Sequence, residues 1–212
     1  MISTTLNTIA EAHRWLVGNI IWCHQSVLTE DNEQTWEGDT MAVTIKTPLT
    51  DMIHPLSSFQ DQRCRKYAGQ LLFGTPSDFD YTYHGRLFNY PDDDEPMITI
   101  DQISCLIERL KKCPNTRRAF AITWNPFEDT LNGAVPCLQT IQFLFRNDKL
   151  NLISTWRSED CLSAFGPNAY GVVTLLEHVA AALCVPVGTY THIITVPHLC
   201  PVRDAADLQR WM

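Results

Sequence analysis

The chain has 212 residues, 45% of them hydrophobic and 19% charged, which suits a folded globule and excludes an intrinsically disordered one. That length is served by one hydrophobic core, so residues 1–212 are expected to form a single domain. A formal net charge of −8 argues against a nucleic-acid surface, and any phosphate would need a local arginine cluster.

In chain order, Trp15–Cys23 is apolar but too short to cross a bilayer and has no secretory cleavage pattern, so it is expected as a strand or core helix. Thr29–Thr40 is polar and reads as a surface loop; Met41–Lys46 reads as a strand. Ser58–Leu72 has helical spacing and stops at Gly74. Tyr90–Pro96, with its acids and prolines, reads as a solvated loop. Asp101–Lys112 puts Ile103, Leu106, Ile107 and Leu110 on one helical face, with Thr99 or Asp101 as N-cap. Ala119–Trp124 reads as a strand. Leu138–Phe145 and Lys149–Trp156 form a hairpin across Arg146-Asn147-Asp148. Ala169–Cys184 is apolar nearly all round, which predicts a buried central helix before Pro186 and Gly188. Tyr190–Val196 reads as the last strand.

Eight cysteines with no CxxC pair point to reduced thiols and a cytoplasmic protein. No metal is expected, because His198 and Cys200 lack a second ligand pair at zinc spacing.

The hairpin places Cys137 at the entrance of one strand and Arg157 at the exit of its partner, which brings a thiol beside a guanidinium. Taken alone, Cys137 is a small buried apolar residue; beside Arg157 its thiolate is favoured and nucleophilic attack becomes credible. Arg117 and Arg118 have a solvated strand edge as their ordinary role, and adjacent strand residues point to opposite faces. At a dimer boundary both can reach a neighbour's site, where guanidinium forks and the Ser158 hydroxyl match phosphate oxygens. Asn168 reads as a helix N-cap or, through its amide donor and acceptor, as a reader of a uracil edge. Asp160 alone is a surface acid, and His198 a core histidine.

In order, these residues resemble the thymidylate synthase family, and more narrowly its short archaeal-type members. The likeness runs from about Asp78 to His198. It rests on Pro114-Asn115-Thr116-Arg117-Arg118, Thr123-Trp124-Asn125-Pro126, Pro136-Cys137, Gln142-Phe143, Lys149-Leu150-Asn151-Leu152, Arg157-Ser158-Glu159-Asp160 and Pro167-Asn168-Ala169-Tyr170-Gly171, and closes at His198.

The resemblance implies a three-layer α/β (α+β) fold whose large mixed sheet forms the interface of a homodimer. It implies that Cys137 adds to C6 of dUMP, and that C5 then takes the one-carbon group of 5,10-methylenetetrahydrofolate or methylene-tetrahydromethanopterin. Arg157 and Ser158 would hold the phosphate, with Arg117 and Arg118 reaching it from the other subunit. Asn168 would read the base, Asp160 would hold the pterin and support proton traffic, His198 would touch the ribose, and Tyr83 would order water near the base. No membrane and no nucleic acid is implied.

The chain departs from the family pattern at Leu138, Pro167 and Cys200, and no counterpart of the family's proton-relay glutamate stands between Thr47 and Leu72, where Gln60, Asp61 and Gln70 are the polar candidates. Beside a synthase, these residues also suit a pyrimidine-nucleotide hydroxymethylase, in which water captures the methylene intermediate, or a nucleotide-binding homologue without turnover.

Overall fold

The structure, a computed structural model, describes residues 1–75, 81–91, 98–131, 133 and 135–212. Among them, eight strands form one mixed sheet: β1 (Ile2–Leu6), β2 (Gln25–Leu28), β3 (Gln34–Glu37), β4 (Met41–Ile45), β5 (Phe120–Ile122), β6 (Leu138–Arg146), β7 (Lys149–Asp160) and β8 (Val187–Leu199). The main path runs β1-β4-β8-β7-β6-β5, with β3 against the end of β8 and β2 against β3. The pairs β1–β4 and β7–β8 are parallel and the others antiparallel. The helices are α1 (Ile9–Trp22), α2 (Asp61–Phe73), α3 (Tyr83–Phe88), α4 (Gln102–Lys112), α5 (Phe165–Ala182) and α6 (Ala205–Leu208).

The alternation of side chains along each strand divides the sheet into two faces. Met41, Val43, Leu150, Leu152, Trp156, Tyr190 and Ile194 are buried, and α1 and α5 pack on the strands that carry them. The helix α2 packs in turn on α5, which gives a layered α/β molecule with the core between helix and sheet. On the opposite face Ile153, Thr155, Thr191 and Ile193 are half-buried, and the Thr44 and Thr191 hydroxyls lie 3.1 Å apart.

Local chemistry explains the element ends. Thr8 caps α1 by accepting from the Glu11 amide at 3.2 Å, while the Glu11 carboxylate accepts from Asn7 N at 2.8 Å, a variant of the capping box. Of the two caps expected for α4, Asp101 serves, accepting from Ser104 N at 2.8 Å. The β6–β7 hairpin turns on Asn147 and Asp148, both at positive φ (53° and 57°), as a two-residue turn between right-twisted strands requires. Beneath α3, the buried Arg86 guanidinium meets Asp129 at 2.8 Å and Glu128 at 3.0 Å.

Several expectations change. The expected surface loop Thr29–Thr40 contains β3, where Thr35 is buried and Trp36 stacks on His24, so the polar run is one edge of the sheet. Of the two forms expected for Trp15–Cys23 the helix holds: Trp15–Trp22 lies in α1, Cys23 is its C-cap, and the helix starts earlier, at Ile9. Helix α2 begins at Asp61 instead of Ser58, and α5 at Phe165 instead of Ala169, because Gly166 and Pro167 are tolerated in a first helical turn. Strands β7 and β8 run on to Asp160 and Leu199, beyond the expected ends at Trp156 and Val196. Most of the expected acidic loop, residues 92–96, and the start of the family likeness at Asp78 lie outside the described residues.

Candidate active site

The ends of three strands and the start of one helix meet at the site. β6 begins just after Cys137, antiparallel to β7, with Leu138 opposite Trp156. The Arg157 amide donates to the Cys137 carbonyl at 2.9 Å, so the two candidate residues are cross-strand neighbours, with Arg157 still inside β7. β8 runs parallel to β7 and sets Ser158 against Val196, Glu159 against Pro197 and Asp160 against His198. The chain then turns directly into α5, which carries Asn168.

Cys137 is half-buried, and the Tyr83 hydroxyl accepts from the next amide, Leu138 N, at 3.2 Å. The Tyr83 ring stands edge-on to Trp156, with centroids 5.8 Å apart. Burial pushes the Cys137 thiol above its ordinary value; the Arg157 guanidinium pulls it down and Glu159 adds to the rise. The expectation that Arg157 favours the thiolate therefore holds in direction but is outweighed by burial. The exposed Arg157 is held by its Nε to Pro136 O at 3.0 Å and by Nη2 to Val135 O at 2.9 Å, which aims the guanidinium at the loop carrying Cys137.

The Ser158 hydroxyl lies 3.2 Å from His198 Nδ1, so two residues 40 positions apart form one polar pair. Asp160 is the cap of the turn leading into α5. Its Oδ1 accepts from Leu162 N at 3.0 Å and Ser163 N at 3.1 Å, and its Oδ2 from the Ser163 hydroxyl at 2.5 Å and from Arg203. Burial opposes its charge, but Ser163 and Arg203 outweigh that and hold the carboxyl below the usual range. Because Asp160 caps this turn, Asn168 is not an N-cap: it lies inside α5, its amide donating to Ala164 O at 3.0 Å.

The Asn168 side chain is gripped from two sides. Its Nδ2 donates to Glu159 Oε1 at 2.8 Å, and its Oδ1 accepts from the Tyr67 hydroxyl at 2.5 Å. Tyr67 reaches it from α2 across Gly171, where a Cβ would stand only 3.0 Å from the tyrosine ring.

Arg117 and Arg118 are placed elsewhere. Both precede β5 instead of opening it, so the opposed-face rule does not apply, and both line an open cavity of about 870 Å³ with Arg109, Lys112 and Thr116. None of Cys137, Arg157, Asn168 and His198 lines that cavity.

Tyr67, Glu159 and Arg203 were not singled out from the sequence as site residues. Strict alternation puts Glu159 on the exposed side with Arg157, but the burial pattern changes phase after Trp156 and turns Glu159 inward. Arg203 meets Asp160 across 43 positions with no motif between them. All eight cysteines are free. Among the described residues Asp160, Cys200 and Asp204 cluster at metal-ligand spacing, but Arg203 already pairs with both carboxylates and supplies the positive charge there. Of the polar residues considered for the absent relay glutamate, Gln60 donates to Ser57 O at 2.5 Å, and Asp61 pairs with Arg65 at the surface at 2.7 Å.

Comparison with known proteins identifies the family. The family model described as thymidylate synthase matches residues 16–201. A protein of Methanocaldococcus jannaschii named "Putative thymidylate synthase" is 39% identical over 209 residues, covering 96% of this chain and 93% of the relative. Proteins of the same name from Methanosarcina mazei and Methanothermobacter thermautotrophicus are 38% and 33% identical, covering 87% and 99% of this chain and 84% and 99% of their own lengths. A match over this much of the chain, joined to a cysteine–arginine pair on one hairpin and an amide at the head of the buried helix, makes the chain a member of the thymidylate synthase family.

Proposed function

We propose that this chain is a thymidylate synthase, converting dUMP to dTMP by reductive methylation with a methylene-tetrahydropterin. The observation that carries the reading is the cross-strand pairing of Cys137 with Arg157, beside the gripped amide of Asn168. Cys137 Sγ bonds to C6 of the uracil, the C5–C6 π electrons move toward C4=O, and C5 becomes a carbon nucleophile. The pterin, a second substrate, supplies the methylene group and then a hydride. Loss of the C5 proton expels the pterin nitrogen from the transferred carbon and leaves a methylene group on C5. The pterin's hydride then adds to that carbon as the Sγ–C6 bond breaks, and Sγ leaves as the thiolate.

The chain's residues divide the remaining work. Sγ must lose its proton as it bonds, and Arg157 is the cation that favours this against burial. Arg157 and the Ser158 hydroxyl serve the phosphate, and the Ser158–His198 pair serves the ribose. Asn168 retains one N–H and one oxygen lone pair beyond those given to Glu159 and Tyr67, a match for the uracil O4 and N3–H. Tyr83 stands beside the thiol and orders water at the base. Asp160, kept ionised, suits the donor edge of a pterin ring, and the aromatic groups of Phe165, His13 and Trp211 lie along the same turn, with His13 5.3 Å from Phe165 and 4.7 Å from Trp211. Tetrahydrofolate and tetrahydromethanopterin share that ring, and either serves as carrier. No metal takes part in this scheme.

The protein acts as a cytoplasmic homodimer, with residues 1–212 as one catalytic domain. Two observations support the dimer: the half-buried Thr and Ile face of the sheet, and the placing of Arg117 and Arg118 around a cavity away from their own Cys137. Across a dimer they reach the partner's phosphate. Among the described residues no helix is long and apolar enough to cross a membrane.

Mass spectrometry of the nucleotide formed from dUMP and methylenetetrahydrofolate tests the reading. Thymidylate is the expected product. A 5-hydroxymethyl nucleotide would assign a hydroxymethylase, and dUMP binding without product from either pterin would assign a homologue without turnover.

A further inference from the structure

Glu159 is a buried carboxylate, 2% exposed, to which the proposed chemistry gives no task. One oxygen accepts from Asn168 Nδ2 at 2.8 Å. The other faces His192 Nε2 at 3.5 Å, an ion-pair distance longer than a formed hydrogen bond, and neither of these two atoms has a hydrogen-bond partner. Behind His192 stands a chain of polar groups. Trp156 Nε1 donates to Ser154 Oγ at 2.8 Å, the Ser154 and Tyr190 hydroxyls lie 2.9 Å apart, and the Tyr190 hydroxyl lies 2.6 Å from His192 Nδ1. Read in one sense, each group donates to the next and the last proton sits on His192 Nε2, facing Glu159. Donors thus converge on this carboxylate from both sides.

We propose that Glu159 is a specificity-determining residue: its carboxylate locks the Asn168 amide in the one orientation that reads uracil and rejects cytosine. This rests on the reading of Asn168 as the base contact. A carboxylate only accepts hydrogen bonds, so the amide must keep its nitrogen toward Glu159 and its oxygen toward the Tyr67 hydroxyl. The N–H and lone pair left over fit the uracil O4 acceptor and N3–H donor. Cytosine offers the reverse, an N4 donor and an N3 acceptor, and needs the amide turned over. Turning it would set Asn168 Oδ1 against the carboxylate, two buried acceptors with no proton between them, which is costly in a site shielded from water. Glu159 touches no substrate in this scheme; it acts through Asn168.

The test is equilibrium binding of dUMP and dCMP to the wild-type protein and to Glu159→Gln, with folding checked by circular dichroism. Gln offers an N–H as well as a carbonyl, so it accepts either amide orientation at nearly constant volume. The wild type is expected to prefer dUMP, and the variant to narrow the dUMP:dCMP ratio by about tenfold or more, ~1.4 kcal/mol and within the range of one bidentate base contact. The gain is expected chiefly in dCMP affinity, a shift that simple loosening of the core would not produce. An unchanged ratio in a folded variant would overturn the lock. Should Glu159→Gln not fold, Glu159→Ala removes the same acceptor and carries the same expectation; failure of both to fold would make Glu159 a stability residue and also overturn it. A wild-type protein with no preference for dUMP would contradict the base-reading role of Asn168 itself, before any variant is compared.

Discussion

The amide of Arg157 donates to the carbonyl of Cys137 at 2.9 Å, fixing a thiol and a guanidinium side by side through a backbone bond that involves neither side chain. Substitutions at either position therefore change chemistry while the strand pairing stays. Cys137→Ala should abolish turnover and leave dUMP affinity within a few-fold of wild type. Steady-state rates and calorimetric titration check both halves; a variant that keeps full activity would remove the thiol from the mechanism.

Replacing the amide directly is a second probe of the base. Asn168→Asp presents an oxygen where the amide has a nitrogen, so the dUMP:dCMP selectivity should fall by about tenfold to a hundredfold, the range of one or two misplaced hydrogen bonds. Competition between the two nucleotides in one binding mixture measures it.

Thiol reactivity follows from the charges around Sγ. Because Arg157 lowers and Glu159 raises the Cys137 pKa, alkylation at pH 8 should slow in Arg157→Ala and quicken in Glu159→Gln. Peptide mapping after iodoacetamide treatment reads Cys137 separately from the exposed thiols of Cys23, Cys105, Cys113 and Cys184.

Mixed dimers test the placing of the arginine pair. Arg118→Ala and Cys137→Ala subunits, each inactive or weakened alone, should regain activity when combined, because one of the two sites then holds an intact thiol and an intact partner arginine. Absence of recovery would keep the pair out of the neighbour's site.

Acid stability is set partly by His13. Burial, aided by the neighbouring His54, lowers its pKa from 6.5 to about 4, and its Nε2 lies 3.2 Å from Leu162 O. Above pH 6.5 the imidazole is neutral in both folded and unfolded chains. As the pH falls from there toward 4, the unfolded chain binds a proton that the folded one refuses, so stability drops by on the order of 3 kcal/mol. Urea titrations at pH 7.5 and 4.5 should show that loss, and His13→Gln should flatten it.

The sequence made legible those parts of the fold whose signals are local. The β6–β7 hairpin follows from two apolar runs around Asn147-Asp148, and the α4 face from the spacing of Ile103, Leu106, Ile107 and Leu110, all four of them buried. The juxtaposition of Cys137 and Arg157 followed from that hairpin alone. What escaped depends on contacts between distant segments. Tyr67 belongs to the site because Gly171 leaves room for its ring, and Arg203 because the chain after β8 returns over Asp160. Glu159 escaped for a subtler reason: one change of phase near the end of β7 reverses the face on which a strict two-residue period would put it. Trp36 shows the same limit at the sheet edge, where a polar run folds as a strand because β8 is long enough to pair with it.

Covalent addition of Cys137 to the nucleotide is tested most directly with a dUMP analogue carrying fluorine at C5. Fluorine cannot leave as a cation, so the reaction stalls with the Sγ–C6 bond still made. Denaturing mass spectrometry of the protein incubated with this analogue and the methylene pterin should show one adduct of nucleotide plus pterin per chain, mapped to the peptide containing Cys137 and missing from Cys137→Ala. An adduct on another cysteine, or thymidylate formed from dUMP by Cys137→Ala, would contradict the assignment of Cys137 as the nucleophile.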